Sequence, residues 1–313
     1  MNPEPRLRED YSERQVKAAH RVLVDVGQVL APFADCLVVV GGWILDLLLP
    51  EADEPHVGSI DVDLALDAAK LSQGRYAELL KLLLDTRRYK PGAKDFQLVV
   101  EVDLKDGEAP VQVEVEFLAP RDVKLKRNKQ KLLADFRVSQ ADGCGVAFHA
   151  PVERRLSGQD VRGATNTVRL RVASLADFVV MKAHAISGRE KPKDSYDLCY
   201  CLENFPGGIG KLAADWKRRL DEKDVARAVE VLREKFATTN AFGSHQVVEF
   251  YNSSSPEEQA MQARRAYELV QGLLERIKWS RGPCRPRSPL LMFGSSERPG
   301  KSEYSLLALA LSH

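Results

Sequence analysis

Between residues 14 and 30, Val16, Ala19, Val22, Leu23, Val26 and Val29 recur every three or four positions among charged neighbours, which predicts an amphipathic helix. A β-branched run from Leu37 to Val40 ends in Gly41-Gly42, and Trp43, Ile44, Leu47 and Leu48 follow at helical spacing. Residues 60–64 then alternate. A strand here sends Ile60, Val62 and Leu64 to the core and projects Asp61 and Asp63 together from the other face. Residues 71–87 carry a second helical stripe (Leu71, Tyr76, Leu79, Leu80, Leu83, Leu84), and Pro91-Gly92 breaks the chain. Residues 96–104 and 111–118 predict two strands joined through the turn Lys105-Asp106-Gly107. In the second, Val111, Val113, Val115 and Phe117 face one way and Gln112, Glu114 and Glu116 the other. Two further strands are expected near residues 145–152 and 166–172.

Beyond Ser174, a capping residue, the pattern turns helical: Leu175, Phe178, Val179, Ala185 and Ile186 form an apolar stripe. Lys182 falls on that stripe, where it must either snorkel or meet an anion. In KPKDSYDLCYCL, Asp194 and Asp197 stand three apart before Leu198, a spacing that fits acids near a helix start. Residues 210–277 predict helices interrupted near 238–243 and 252–256, with Pro256 at a helix start. From residue 281 the chain is rich in Pro, Gly, Ser and Arg and reads as an extended tail. The expected organisation is therefore α+β: a mixed sheet with flanking helices over 1–172, a helical region over 173–280, and a flexible tail over 281–313.

Composition narrows the class. The chain has 313 residues, 44% hydrophobic and 29% charged, enough for a sizeable core. Forty-six basic residues against 45 acidic leave a net charge of +1, so any basic surface must be a local patch. Five cysteines with no C-x-x-C pair, and no signal peptide, fit a reduced cytoplasmic chain. No H-E-x-x-H supports a zinc hydrolase, and no apolar run is long enough to span a bilayer.

Taken singly, Gly-Gly after a strand can be a tight turn and Asp-x-Asp the wet face of an edge strand. Together they make a turn that admits a phosphate close to the backbone, beside two carboxylates able to hold Mg²⁺. Gly41-Gly42, an apolar helix, and then Ser59, Asp61 and Asp63 among aliphatics resemble the polymerase-β-type nucleotidyltransferase superfamily. The long interval between glycines and aspartates resembles its AbiEii/AbiGii-type (MenT-like) toxin branch. So does the later stretch: a lysine-bearing helix (Lys182), a basic-proline turn, Asp194, and Tyr-Asp-Leu at Asp197 entering the next helix. The resemblance covers residues 37–202. Two departures stand out: the third acid is a glutamate where the branch usually has aspartate, and Val57, with His56 adjacent, stands where an arginine is frequent.

The resemblance implies Mg²⁺-dependent transfer of NMP from an NTP to an acceptor hydroxyl. It assigns Asp61, Asp63 and Glu116 (Glu114 second) to the metal and catalysis, and Gly41, Gly42, Ser59 and Lys182 to the nucleotide. It also counts Lys182 and Asp194 as catalytic, Asp194 as the fourth motif's catalytic acid, and implies that Asp197 fixes the helix start or orients its neighbours and that Lys193 is an auxiliary phosphate contact. Alanine at Asp61, Asp63, Lys182 or Asp194 is expected to abolish transfer in a protein that stays folded. By the same resemblance the acceptor is RNA, probed first as a tRNA 3′ end, and the protein is the toxin of a toxin–antitoxin pair with an antitoxin partner and no membrane association. Residues 121–131, with six cations in eleven positions, are either a solvated face or a rail for that RNA, approaching along 124–131. The alternatives are a small-molecule (aminoglycoside-type) or protein nucleotidyltransferase, and a non-catalytic nucleotide-binding module.

Overall fold

The computed structural model describes residues 5–67, 70–71, 75–121 and 138–277. The expected tail and the basic stretch at 124–131 lie outside them. Helix α1 (Glu13–Val29) is capped by Ser12, whose Oγ accepts from the Gln15 N–H while Gln15 Oε1 accepts from the Ser12 N–H. Its apolar side (Val22, Leu23, Val26) is fully buried. Strand β1 (Leu37–Val40) turns through Gly41 into helix α2 (Trp43–Leu48), and strand β2 (Asp61–Leu66) returns antiparallel to β1. Val62 and Leu64 enter the core; Ile60 lies just outside the strand and is half-buried.

Helix α3 (Arg75–Asp85) and the short strand β3 (Lys90–Pro91) precede the antiparallel pair β4 (Gln97–Val102) and β5 (Val111–Pro120). Then come β6 (Ser139–Ala141), β7 (Val152–Gln159) and β8 (Thr165–Val172). The eight described strands form one mixed sheet of order β3-β4-β5-β2-β1-β8-β7, with β6 on β5. Parallel β2–β5 and β1–β8 pairs sit among antiparallel ones.

Helices α4 (Leu175–Gly188), α5 (Pro192–Glu203), α6 (Gly208–Arg218), α7 (Lys223–Lys235), α8 (Phe242–Tyr251) and α9 (Pro256–Ile277) complete the described chain. Helix α5 is the hub: residues 192–202 are all buried. No described helix is long and apolar enough to cross a membrane.

Three expectations need correction. The strand placed near 145–152 is a 3-10 turn at Cys144–Phe148, and the strand begins at Val152. VERRLSGQ lacks an apolar alternation because β7 is the sheet's edge and little of it is buried. The basic-proline turn expected before Asp194 is already helical, with Pro192 at the first position of α5, where a missing N–H costs nothing, while Asp194 keeps its expected place in the first turn. The continuous helix expected after residue 210 is broken at 219–222, where Arg219 leaves the helical path to pair with Asp177 and Glu222.

Candidate active site

Register brings the acids together. In the parallel β2–β5 pair, Asp61 lies opposite Glu114 and Asp63 opposite Glu116, so all four carboxylates share one face of the sheet. Behind them β1 delivers the glycine turn, with Val40 opposite Asp63. Gly41 has φ +72°, and a Cβ there would stand 2.2 Å from Asp63 Oδ2. Only glycine lets the turn lie against that carboxylate. A Cβ on Gly42 would meet Ser59 Oγ at 2.9 Å and Lys193 Nζ at 3.1 Å. Ser59 Oγ donates to Asp61 Oδ1 at 2.6 Å. Across β4, buried Gln97 uses its Nε2 to bridge Glu114 Oε2 (2.6 Å) and Glu116 Oε1 (3.1 Å), and Lys94 Nζ reaches Glu116 Oε1 at 3.0 Å.

The charges are unequal in consequence. Burial, then the neighbouring Asp61 and Glu116 charges, push the Asp63 carboxyl well above its usual range. Burial also raises Asp61, but the Lys191 charge, the Ser59 hydrogen bond, and the charges of Lys193 and Lys182 outweigh it and leave Asp61 lowered. Glu114 is raised, chiefly by burial.

Facing this carboxylate cluster is a buried ionic network at the junction of α4 and α5. Lys182 is met by anions: its Nζ lies 2.7 Å from Asp194 Oδ1 and 2.7 Å from Asp197 Oδ2. Arg189 forks onto Asp194 (2.7 and 3.1 Å), and Lys193 Nζ contacts both Asp197 oxygens (2.8 and 3.1 Å). His56 ties α2 to α5, with Nε2 2.9 Å from Asp197 Oδ1 and Nδ1 3.3 Å from Asp46 Oδ2. Burial opposes charge throughout. The paired cations overcome it at Asp194, lowered to about 2, and at Asp197, while the two aspartates hold the buried Lys182 above its ordinary value. Lys193 goes the other way, lowered by burial and by the Lys182 charge in spite of Asp197.

Asp61, Asp63, Glu116, Gly41, Gly42 and Ser59 thus meet at one place, and Lys182 lies close enough to lower Asp61. Asp194 faces Lys182 and Arg189. Glu114, the second choice, shares Gln97 with Glu116. Among the described residues no three His, Cys, Asp or Glu side chains are arranged to enclose a metal ion. Glu116 turns to Gln97 and Lys94, and one oxygen of Asp61 takes the serine hydroxyl. The donors are all oxygen, and the raised Asp63 marks an excess of negative charge. Both suit a hard cation completed by phosphate oxygens rather than an all-protein cage.

Gln97, Lys94 and Arg189 escaped the sequence reading, and His56 entered it only as the neighbour of Val57. Gln97 is legible only through the β4–β5 register, and His56 only through its long-range bond to Asp197.

A family model described as the nucleotidyl transferase AbiEii toxin of a type IV toxin–antitoxin system matches residues 21–273. The chain belongs to the AbiEii nucleotidyltransferase toxin family. The match runs from within α1 to within α9, so it takes in the glycine turn, the carboxylate face and the ionic network. Membership makes this AbiEii-family chain a nucleotidyltransferase and the toxin component of such a system. No curated protein matches the chain in sequence.

Proposed function

We propose that the site joins an NMP from an NTP to a hydroxyl of RNA, with the tRNA 3′ end as the specific acceptor and Mg²⁺ as the cofactor. One observation carries the reading: Asp61 and Asp63 face Glu114 and Glu116 in register, against a glycine turn that has Lys193 Nζ beside it. Asp61 and Asp63, with Glu116, would hold Mg²⁺, which when bound neutralises phosphoryl charge and lowers the pKa of the attacking hydroxyl.

The protein's own part is positioning. Gly41 and Gly42 allow the triphosphate close to the backbone, and Ser59, Lys182 and Lys193 supply donors and positive charge as pyrophosphate separates. Asp194 and Asp197 hold Lys182, and Arg189 in turn holds Asp194. Glu116 receives the proton of the attacking hydroxyl.

The choice of acceptor is supported by charge. Lys94 contacts Glu116, and Lys191 and Arg189 act on Asp61 and Asp63, so cations border the carboxylates. A polyanion is favoured there over the polycation that an aminoglycoside-type enzyme must accept. The antitoxin is proposed to be a separate protein partner.

The test is incubation of the protein with Mg²⁺, each labelled NTP in turn, and total RNA. Label in tRNA supports the reading. Unlabelled tRNA beside a labelled protein or small molecule refutes it.

A further inference from the structure

We infer that the outer face of the β7–β8 hairpin is a second docking surface, for the phosphodiester backbone of the RNA acceptor; this rests on the RNA reading above. The face follows from packing. A Cβ on Gly27 of α1 would strike Leu170 and Val168, and one on Gly158 would strike His20 of α1. Val168, Leu170 and Gly158 therefore look toward α1, and their alternates Arg155, Arg169 and Arg171 look the other way. Parity carries across β1, since Val172 is opposite Val39 and Val40 is opposite Asp63. The arginines and the catalytic carboxylates thus occupy the same side of the sheet.

Arg155 and Arg169 stand directly opposite each other, where like charges are unfavourable in a cross-strand pair. Both are exposed, and among the described residues neither side chain makes a hydrogen bond or an ion pair. Guarding the sheet edge accounts for an arginine on β7 but not for Arg169, because β8 is flanked by β7 and β1. The remaining residues on this face are Glu153, Ser157, Thr165 and Thr167, with no apolar anchor of the kind a protein interface buries, while Gln159 at the strand end turns to Arg21 of α1. Charge without an apolar centre suits a phosphate backbone. By strand spacing and rise, the pair lies roughly 15 to 20 Å from Asp63. That is a span of a few nucleotides, so the RNA end can reach the carboxylates while its backbone rests on the hairpin.

The experiment measures transfer to tRNA against tRNA concentration and KCl for wild type, Arg155→Glu, Arg169→Glu and the double variant, with melting curves as the fold control. The expected result is a KM for tRNA raised roughly tenfold per site and a salt slope shallower by about one per site, with KM for NTP and kcat at saturating tRNA unchanged. The double variant R155K/R169K keeps the wild-type KM, and stands in if a glutamate variant fails to fold, beside Arg155→Gln and Arg169→Gln. An unchanged tRNA KM and salt slope overturns the inference alone. Failure of wild type to label any RNA overturns it together with the proposed function. Unaltered RNA kinetics with lost binding of a co-expressed protein partner reassigns the face to protein.

Discussion

Asp63 is held where its own charge is unwelcome, between burial and two neighbouring acids, and the fold keeps it there by giving up a side chain at Gly41. A carboxyl raised above its unfolded value favours the fold while neutral, at pH below the ordinary carboxylate range, and that advantage is lost as pH rises through the folded value. Asp63→Asn therefore removes transfer and raises the neutral-pH melting temperature by about 1 to 3 °C, read by calorimetry beside the activity assay. Asp194 has the opposite sign. Lowered to about 2 from 3.8, it contributes stability that is present above pH 4 and lost as pH falls toward 2, of order 2 kcal/mol. Acid unfolding followed by circular dichroism should show that loss, and Asp194→Asn should flatten it. Gly41→Ala should abolish activity, since its Cβ occupies the place of an Asp63 oxygen.

Helices α4 and α5 are joined by ion pairs rather than by apolar packing alone, which changes what a substitution there means. Lys182→Ala leaves Asp194 and Asp197 with one fewer buried cation and should cost about 3 to 5 kcal/mol, measured by urea denaturation. The sequence had pointed to an inactive but stable variant; the network predicts one that is both inactive and weakened. Lys182 on an apolar stripe was legible, because a cation there demands an anion, but which anion was not. Strand β2, the glycine turn and the alternation of β5 were legible from period and composition. The start of α5 was not, because Lys191-Pro192 reads equally as a turn or as a first helical position. At β4, Gln97→Leu should release both glutamates and lower kcat about tenfold with KM for NTP unchanged, the pattern of a positioning residue.

In the whole molecule the site is assembled from distant pieces: a turn after β1, acids on β2 and β5, an amide from β4, and lysines from α4 and α5. Single motifs in the sequence named most of these pieces, and their resemblance to one family gave the arrangement that spacing alone could not. The contacts missed were those set by register or by chain crossing, Gln97 to the glutamates and His56 to Asp197. At this scale the Asp61 and Asp63 pair is proposed to move a nucleotidyl group. It is tested by supplying NTP labelled at the α- or the γ-phosphate to wild type, Asp61→Asn and Asp63→Asn with tRNA and Mg²⁺. Nucleotidyl transfer by this pair leaves α-label in the RNA, releases γ-label as pyrophosphate, and gives neither product with the two variants; γ-label in the acceptor, or full transfer by either variant, rules it out.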